Sequence, residues 1–453
     1  NTLDFARNGE YKMLKLLSKI RLEKDLEYAQ KEEFKKTYRQ KSTDFTRKRK
    51  LTMFDIILST ITRVGFSLKL EIRRYLKMKQ DDKTVSKVAY LKQRLKLDPK
   101  AFLALNSFHL KNFYNEETAR TIKNYLVLAV DGSNITIPTN KETLELYGNS
   151  SVPSAKPTAQ IGLSCIYDVC NEFILDISIN RNNFDERAAA EKNIDNIAEI
   201  IEDKAFIVLF DRGYPSIENM LNRFEKGQKF LMRLSSSQFK REQSSMTSDD
   251  EIIEIKFDQT RINPYRNTKF AEKLRTVGSM FVRFVRVHLS SGETEYLATN
   301  LSQEEFNTKE ISDLYFMRWA IETVYDTLKN KLEIENFTGT KPLLIEQDIY
   351  ATVYLCNIIQ DVIRDAEESL KREGKLNKYK HVMTINKNFA IGVMRDELIG
   401  FVATDSDVER RILFEKVIKE IQSELIPVRK GRSFNRHKNA KSKRFFNNIK
   451  RNS

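Results

Sequence analysis

The spacing of apolar residues changes at Tyr125, and that change limits the chain to a mixed α/β architecture. Upstream, across residues 51–76 and again from Val85, apolar residues recur at helical period. From Tyr125 to Val130 the chain is apolar without interruption, reaches Asp131-Gly132-Ser133, then alternates as far as Pro138. An unbroken short apolar run is the pattern of a strand covered on both faces. Two more strand-like runs follow, 159–169 and 172–180, with Asn171 at the expected turn. A helix is expected from Asp185, then a buried strand from Ala205 that ends at Asp211-Arg212-Gly213, then a helix closed by Gly227. Residues 229–299 read as short strands between polar loops. Helix returns from Ser302 to Lys331, and a long helix follows from Ile345.

These changes of texture set four segments. Residues 1–120 are helical and basic. Residues 121–228 and 300–372 form one α/β core, 229–299 a β-rich insertion within it, and 373–453 a helical, basic C-terminal region. At 453 residues, 40% hydrophobic and 31% charged, the chain is long enough to bury at least one large core. No run of about 18 apolar residues suggests a membrane span. The chain begins with Asn1 rather than Met, which fits a fragment and a processed N-terminus alike. The three cysteines and four histidines lack zinc spacing, and thiols in apolar surroundings fit a reducing cytoplasm.

Charge points to the partner. The net charge is +15, and it is concentrated at the two ends. Residues 1–50 hold 15 Lys and Arg against 8 Asp and Glu, and residues 425–453 hold 10 Lys and Arg with no acid. The runs Arg47-Lys48-Arg49-Lys50 and Lys441-Ser442-Lys443-Arg444 are the densest. Basic ends on a near-neutral middle suit a polyanion. No basic amphipathic helix with an aromatic face favours a membrane surface instead.

The chemistry lies in three carboxylates. Asp131 and Asp211 each follow an apolar strand, where open α/β sheets present their active residues. Asp-Gly is also a common turn, so either motif alone is weak. The third is Glu322. At about 100° per residue, Tyr315, Arg318, Glu322 and Lys329 fall within roughly 60° of one another on a helix. Leu314, Met317, Ile321, Val324, Leu328 and Leu332 gather on an adjacent buried face. Such a stripe is also found on solvated, ion-paired helices. With the two aspartates it gains a role: three carboxylates from separate elements can converge on two Mg²⁺ or Mn²⁺ ions about 3.5–4 Å apart. Arg318 and Lys329 can then grip a phosphate. Tyr315 can bond a phosphate or stack on a base. Arg212 suits a phosphate contact and a surface ion pair equally.

The spacing Tyr315-x2-Arg318-x3-Glu322-x6-Lys329, with the residues around Asp131 and Asp211 and the Val428-Arg429-Lys430-Gly431-Arg432 segment, resembles the Y-R-E-K signature of bacterial DDE transposases of the insertion-sequence-four group. The resemblance covers roughly residues 40–450. It implies an RNase H-like catalytic core interrupted by a β-strand insertion, behind a helical N-terminal DNA-binding domain. It implies cut-and-paste transposition: hydrolysis at the terminal inverted repeats, a hairpin intermediate, and transfer of the 3′-hydroxyl into target DNA. Asp131, Asp211 and Glu322 would be the metal ligands, and Tyr315, Arg318 and Lys329 would contact the terminal phosphates. Double-stranded DNA is the implied partner, with a homodimer in the synaptic complex, in the bacterial cytoplasm at the nucleoid. Some relatives hold a flipped base with a Trp in the β insertion. The single Trp here, Trp319, lies on the signature helix instead, as a packing residue, which leaves Phe281, Phe284 or Tyr296 for that role. A catalytically silent, domesticated DNA-binding protein and another RNase H-like nuclease are the competing readings.

Overall fold

The computed structural model describes residues 16–428 apart from 48, 81–83, 117–118, 151–156, 290–291 and 405. Residues 1–15, Lys48 and the basic segment 429–453, with its run 441–444, therefore lie outside the described residues. The chain divides into two compact units.

One unit runs from Leu110 to Asn330 with Gly339–Glu346, and is built on a single mixed sheet. Its strands are β1 (Leu126–Thr136), β2 (Gln160–Asp168), β3 (Phe173–Arg181), β4 (Phe206–Phe210), β5 (Lys229–Leu234), β6 (Asp250–Lys256), β7 (Ser279–His288) and β8 (Thr294–Thr299). Their order is β3-β2-β1-β4-β5-β8-β7-β6. The central strands β1, β4 and β5 are parallel, and both flanks are antiparallel. Leu126–Val130 are buried without a break, so the unbroken apolar run marks the centre of the sheet as expected. The helix Ile217–Glu225 is closed by Gly227 in left-handed conformation (φ 63°).

Two features differ from the sequence reading. The strands of 229–299 join the central sheet directly: β5 pairs with β4, and β8 continues the ladder from β5. The polar stretches between them carry the helices Lys240–Ser245, Gln259–Ile262 and Lys269–Val277, which periodicity missed because two have only one or two turns. The other unit joins the chain up to His109 with Lys331–Thr338 and the segment from Gln347. Helices from both ends of the sequence thus share one core with most of the 31-residue helix Pro342–Arg372.

Buried ion pairs tie those distant segments together. Arg21 grips Asp361 through Nε (2.8 Å) and Nη2 (2.6 Å), and His109 bonds Asp25 at 2.7 Å. Tyr354 donates to the same Asp25 carboxylate at 2.7 Å. Removing one member leaves its partners charged and out of water. Asp361→Ala is therefore expected to cost about 3–5 kcal/mol, measured by urea unfolding. A loss under about 1 kcal/mol would mean that Arg21, and His109 with its Nε2 3.3 Å from Asp361, find water or other partners. Among the described residues no helix is long and apolar enough to cross a membrane.

Candidate active site

Asp131 is not at the end of its strand. β1 continues to Thr136, and Asp131 pairs with Cys165 and Gly132 with Ser164 of β2. This rules out the Asp-Gly turn. What ends before Asp131 is the parallel ladder to β4, whose last pair is Ala129 with Leu209. Asp211 does follow its strand, directly after Phe210. The two carboxylates thus lie just past the splitting point of neighbouring parallel strands, where an α/β sheet opens a crevice.

The stripe from Tyr315 to Lys329 is not one regular helix. An α-helix, Thr308–Phe316, tightens into a 3₁₀ turn at Met317–Trp319, returns to α at Ala320–Asp326, and widens into a π segment at Thr327–Lys331. Such irregular turns re-aim side chains and recur at functional sites. Here Arg318 sits in the tight turn and Lys329 in the wide one. Arg318 is 3% exposed, and its Nη2 bonds Glu322 at 3.3 Å. Tyr315 donates to Asp211 Oδ1 at 3.3 Å. Lys329 donates to Ser133 Oγ (2.6 Å) and to the Asn134 carbonyl (3.0 Å), which pins the helix to β1 beyond Asp131. Tyr325 donates to the Asp131 backbone carbonyl at 2.9 Å.

The electrostatics follow from this packing. Burial pushes the Asp131 carboxyl up to about 6; the Gly132 amide and Arg318 pull it down, and Glu186 and Asp211 push it further up. Burial works against the charge of Arg318, yet Tyr315, Asp211 and Asp131 outweigh it and raise its pKa. Burial and Asp211 together raise the Tyr315 phenol.

The structure therefore brings Asp131, Asp211, Tyr315 and Arg318 together, and it engages Glu322 through Arg318. Among the described residues no three carboxylates, imidazoles or thiols converge as a ready-made metal cage, so the expected meeting of all three carboxylates is partial. The donor set still fits a hard divalent cation. Asp131 and Asp211 offer oxygen ligands and crowd like charge in a half-buried site, which such a cation would relieve. Arg212 is exposed. Trp319 is 41% exposed rather than packed, with the Arg318 guanidinium 4.9 Å from its ring centre. Of the alternative aromatics, Phe284 is buried and Phe281 is exposed. Sequence reasoning missed Tyr325, although it stands three residues after Glu322. Glu186 lies at the start of the helix expected from Asp185, where a carboxylate suits the helix N-terminus and a place near the site alike.

One pH dependence follows. Asp131 holds its proton more tightly when folded than when unfolded, where a carboxyl titrates near 4. Its contribution to metal-free stability is full below about pH 4 and is lost as pH rises through about 6. Asp131→Asn should therefore melt higher than the parent protein at pH 7.5, with the gap shrinking towards pH 5. A gap independent of pH would contradict this account of Asp131.

The family described as Transposase DDE domain matches residues 122–358, just over half of the chain. Curated relatives include the putative transposase InsL of insertion sequence element IS186A from Escherichia coli strain K12 and the transposase of insertion sequence element IS421 from Escherichia coli. Each is 29% identical over 68 residues, 15% of this chain and 18% of the relative. The match thus spans less than a fifth of the length of these relatives. Among solved structures, the piggyBac transposase synaptic complex with hairpin DNA has a TM-score of 0.41 at 8% identity, covering 90% of this chain and 82% of that chain.

Proposed function

The chain belongs to the family of transposases with a DDE domain, and from that premise we propose that it is a DNA transposase of the insertion-sequence-four group, moving its element by cut and paste. The observation that carries this reading is the placing of Asp131 and Asp211 just past the ladder of the neighbouring strands β1 and β4, beside a helical segment that supplies Tyr315, Arg318 and Glu322. The sheet supports an RNase H-like core: an antiparallel β3-β2-β1 meander continues into parallel β4 and β5.

Asp131, Asp211 and Glu322 would hold the divalent metal, Mg²⁺ or Mn²⁺. When bound, two such ions supply the activation of a water or 3′-hydroxyl and the stabilisation of the leaving oxygen. The chain's own residues do the rest. Tyr315 orients the Asp211 carboxylate through its hydroxyl. Arg318, held in a tight turn and almost out of water, keeps one positive charge beside the acids and steadies Glu322. A buried guanidinium meets a phosphate with little loss of side-chain freedom. Lys329 adds a second cation at the rim beside Ser133. Exposed Arg212 lies next in sequence to Asp211 and suits a backbone phosphate. The basic ends of the chain suit the length of duplex carried by the terminal inverted repeats and the target, with a homodimer joining two ends.

Asp131→Ala, Asp211→Ala and Glu322→Ala should each retain gel-shift binding to inverted-repeat DNA. Each should lose more cleavage than the roughly 10–100-fold typical of removing a metal ligand's outer partner. Retained cutting in any of them would sink its assignment as a ligand. Binding without cutting in the parent protein, with Mg²⁺ and with Mn²⁺, would favour the silent DNA-binding reading. Arg212→Ala should weaken binding to all duplex sequences alike and reduce the slope of log affinity against log salt by about 1. An unchanged slope would remove Arg212 from the DNA contacts.

A further inference from the structure

We propose that Glu186 is a fourth carboxylate of this site and helps to hold the divalent cation together with Asp131 and Asp211. The proposal rests on the functional reading above and extends its ligand set.

Glu186 opens the helix Glu186–Asn196, but capping does not need it. Asp185 already accepts from the Arg187 (3.0 Å) and Ala188 (3.1 Å) amides. Two glycines in the sheet set where the Glu186 carboxylate lies. A Cβ on Gly132 would stand 2.9 Å from Glu186 Oε1, so the carboxylate rests against bare backbone immediately after Asp131. A Cβ on Gly162 would meet the Phe184 ring at 2.3 Å, so that ring is seated on β2 and fixes the approach to the helix. Arg187 Nε donates to the Gly213 carbonyl at 2.9 Å, which ties the first turn to the loop that carries Asp211. The Glu186 carboxylate thus lies against β1 beside Asp131, and its helix is bonded to the loop that carries Asp211.

A second observation is independent of the carboxylates. The Tyr214 side chain is 2% exposed, and its hydroxyl has no hydrogen-bond partner among the described residues. A buried hydroxyl without a protein partner is costly, and it suits a site that takes up a polar ligand. The Tyr214 amide donates to the Asp211 carbonyl at 3.0 Å, which places this residue in the turn that carries Asp211, and burial with the charges of Glu186, Asp131 and Asp211 raises its phenol. A hydrated cation shared by them brings oxygen atoms that a phenol can donate to. Glu322 shares its carboxylate with Arg318, so Glu186 adds anionic charge where the aspartates alone would carry most of it.

The test is Mn²⁺ binding by the full-length, DNA-free protein, followed by the electron paramagnetic resonance signal of free Mn²⁺. Glu186→Gln should weaken binding by about tenfold or more, while its metal-free melting curve remains cooperative. Glu186→Asp should recover part of the affinity. Affinity unchanged in Glu186→Gln, with binding lost in Asp131→Asn, overturns the role of Glu186 alone. Affinity unchanged in both variants overturns the metal site itself.

Discussion

Arg318 is a cation held almost out of water, bonded to Glu322 and stabilised by the field of Tyr315, Asp211 and Asp131, and the candidate site depends on that arrangement. A buried guanidinium is tolerated only where anions compensate it. A buried carboxylate such as Asp131 is likewise tolerated only beside a cation or at a raised pKa, and here it has both. Tyr315, Tyr325 and Lys329 hold the helical segment against the sheet, and the Arg318 charge lowers the cost of the acids beside it. Neither element would present these groups in isolation.

The backbone is adapted to the same end. An uninterrupted α-helix would direct Tyr315, Arg318, Glu322 and Lys329 along one narrow stripe. The tight turn at Met317–Trp319 and the wide segment at Thr327–Lys331 divide that stripe into separate tasks. Tyr315 reaches Asp211, Arg318 pairs with Glu322, and Lys329 clips onto β1 at Ser133 and Asn134. On the strand side, Gly132 leaves room for a neighbouring carboxylate where any larger residue would displace it. These two irregular turns carry Arg318 and Lys329, the two cations of the stripe.

Much of this was legible in the residue pattern. The apolar run into Asp131 and the strand ending at Asp211 are short-range patterns, and each appears in the structure as a strand, although β1 continues past Asp131. The strands of 229–299 were also legible, but not their continuity with β4, because pairing partners are chosen by long-range registry. The turns that break the helical segment 308–331 were invisible too, since residue types alone do not distinguish an α turn from a tightened or widened one.

What the sequence determined by itself is the inventory: the acids, the cations, and the periodicity that assigns each to a strand or a helix. That follows because burial of apolar faces dictates local structure. Only the tertiary structure decided which charges meet. It set Asp131 and Asp211 on neighbouring strands, engaged Glu322 with Arg318, left Trp319 exposed, and brought Glu186 against Gly132. The physical reason is that charge coupling depends on separation and solvent exposure in space. Both are set when strands pair and helices dock, and neither is written in the spacing of residues along the chain.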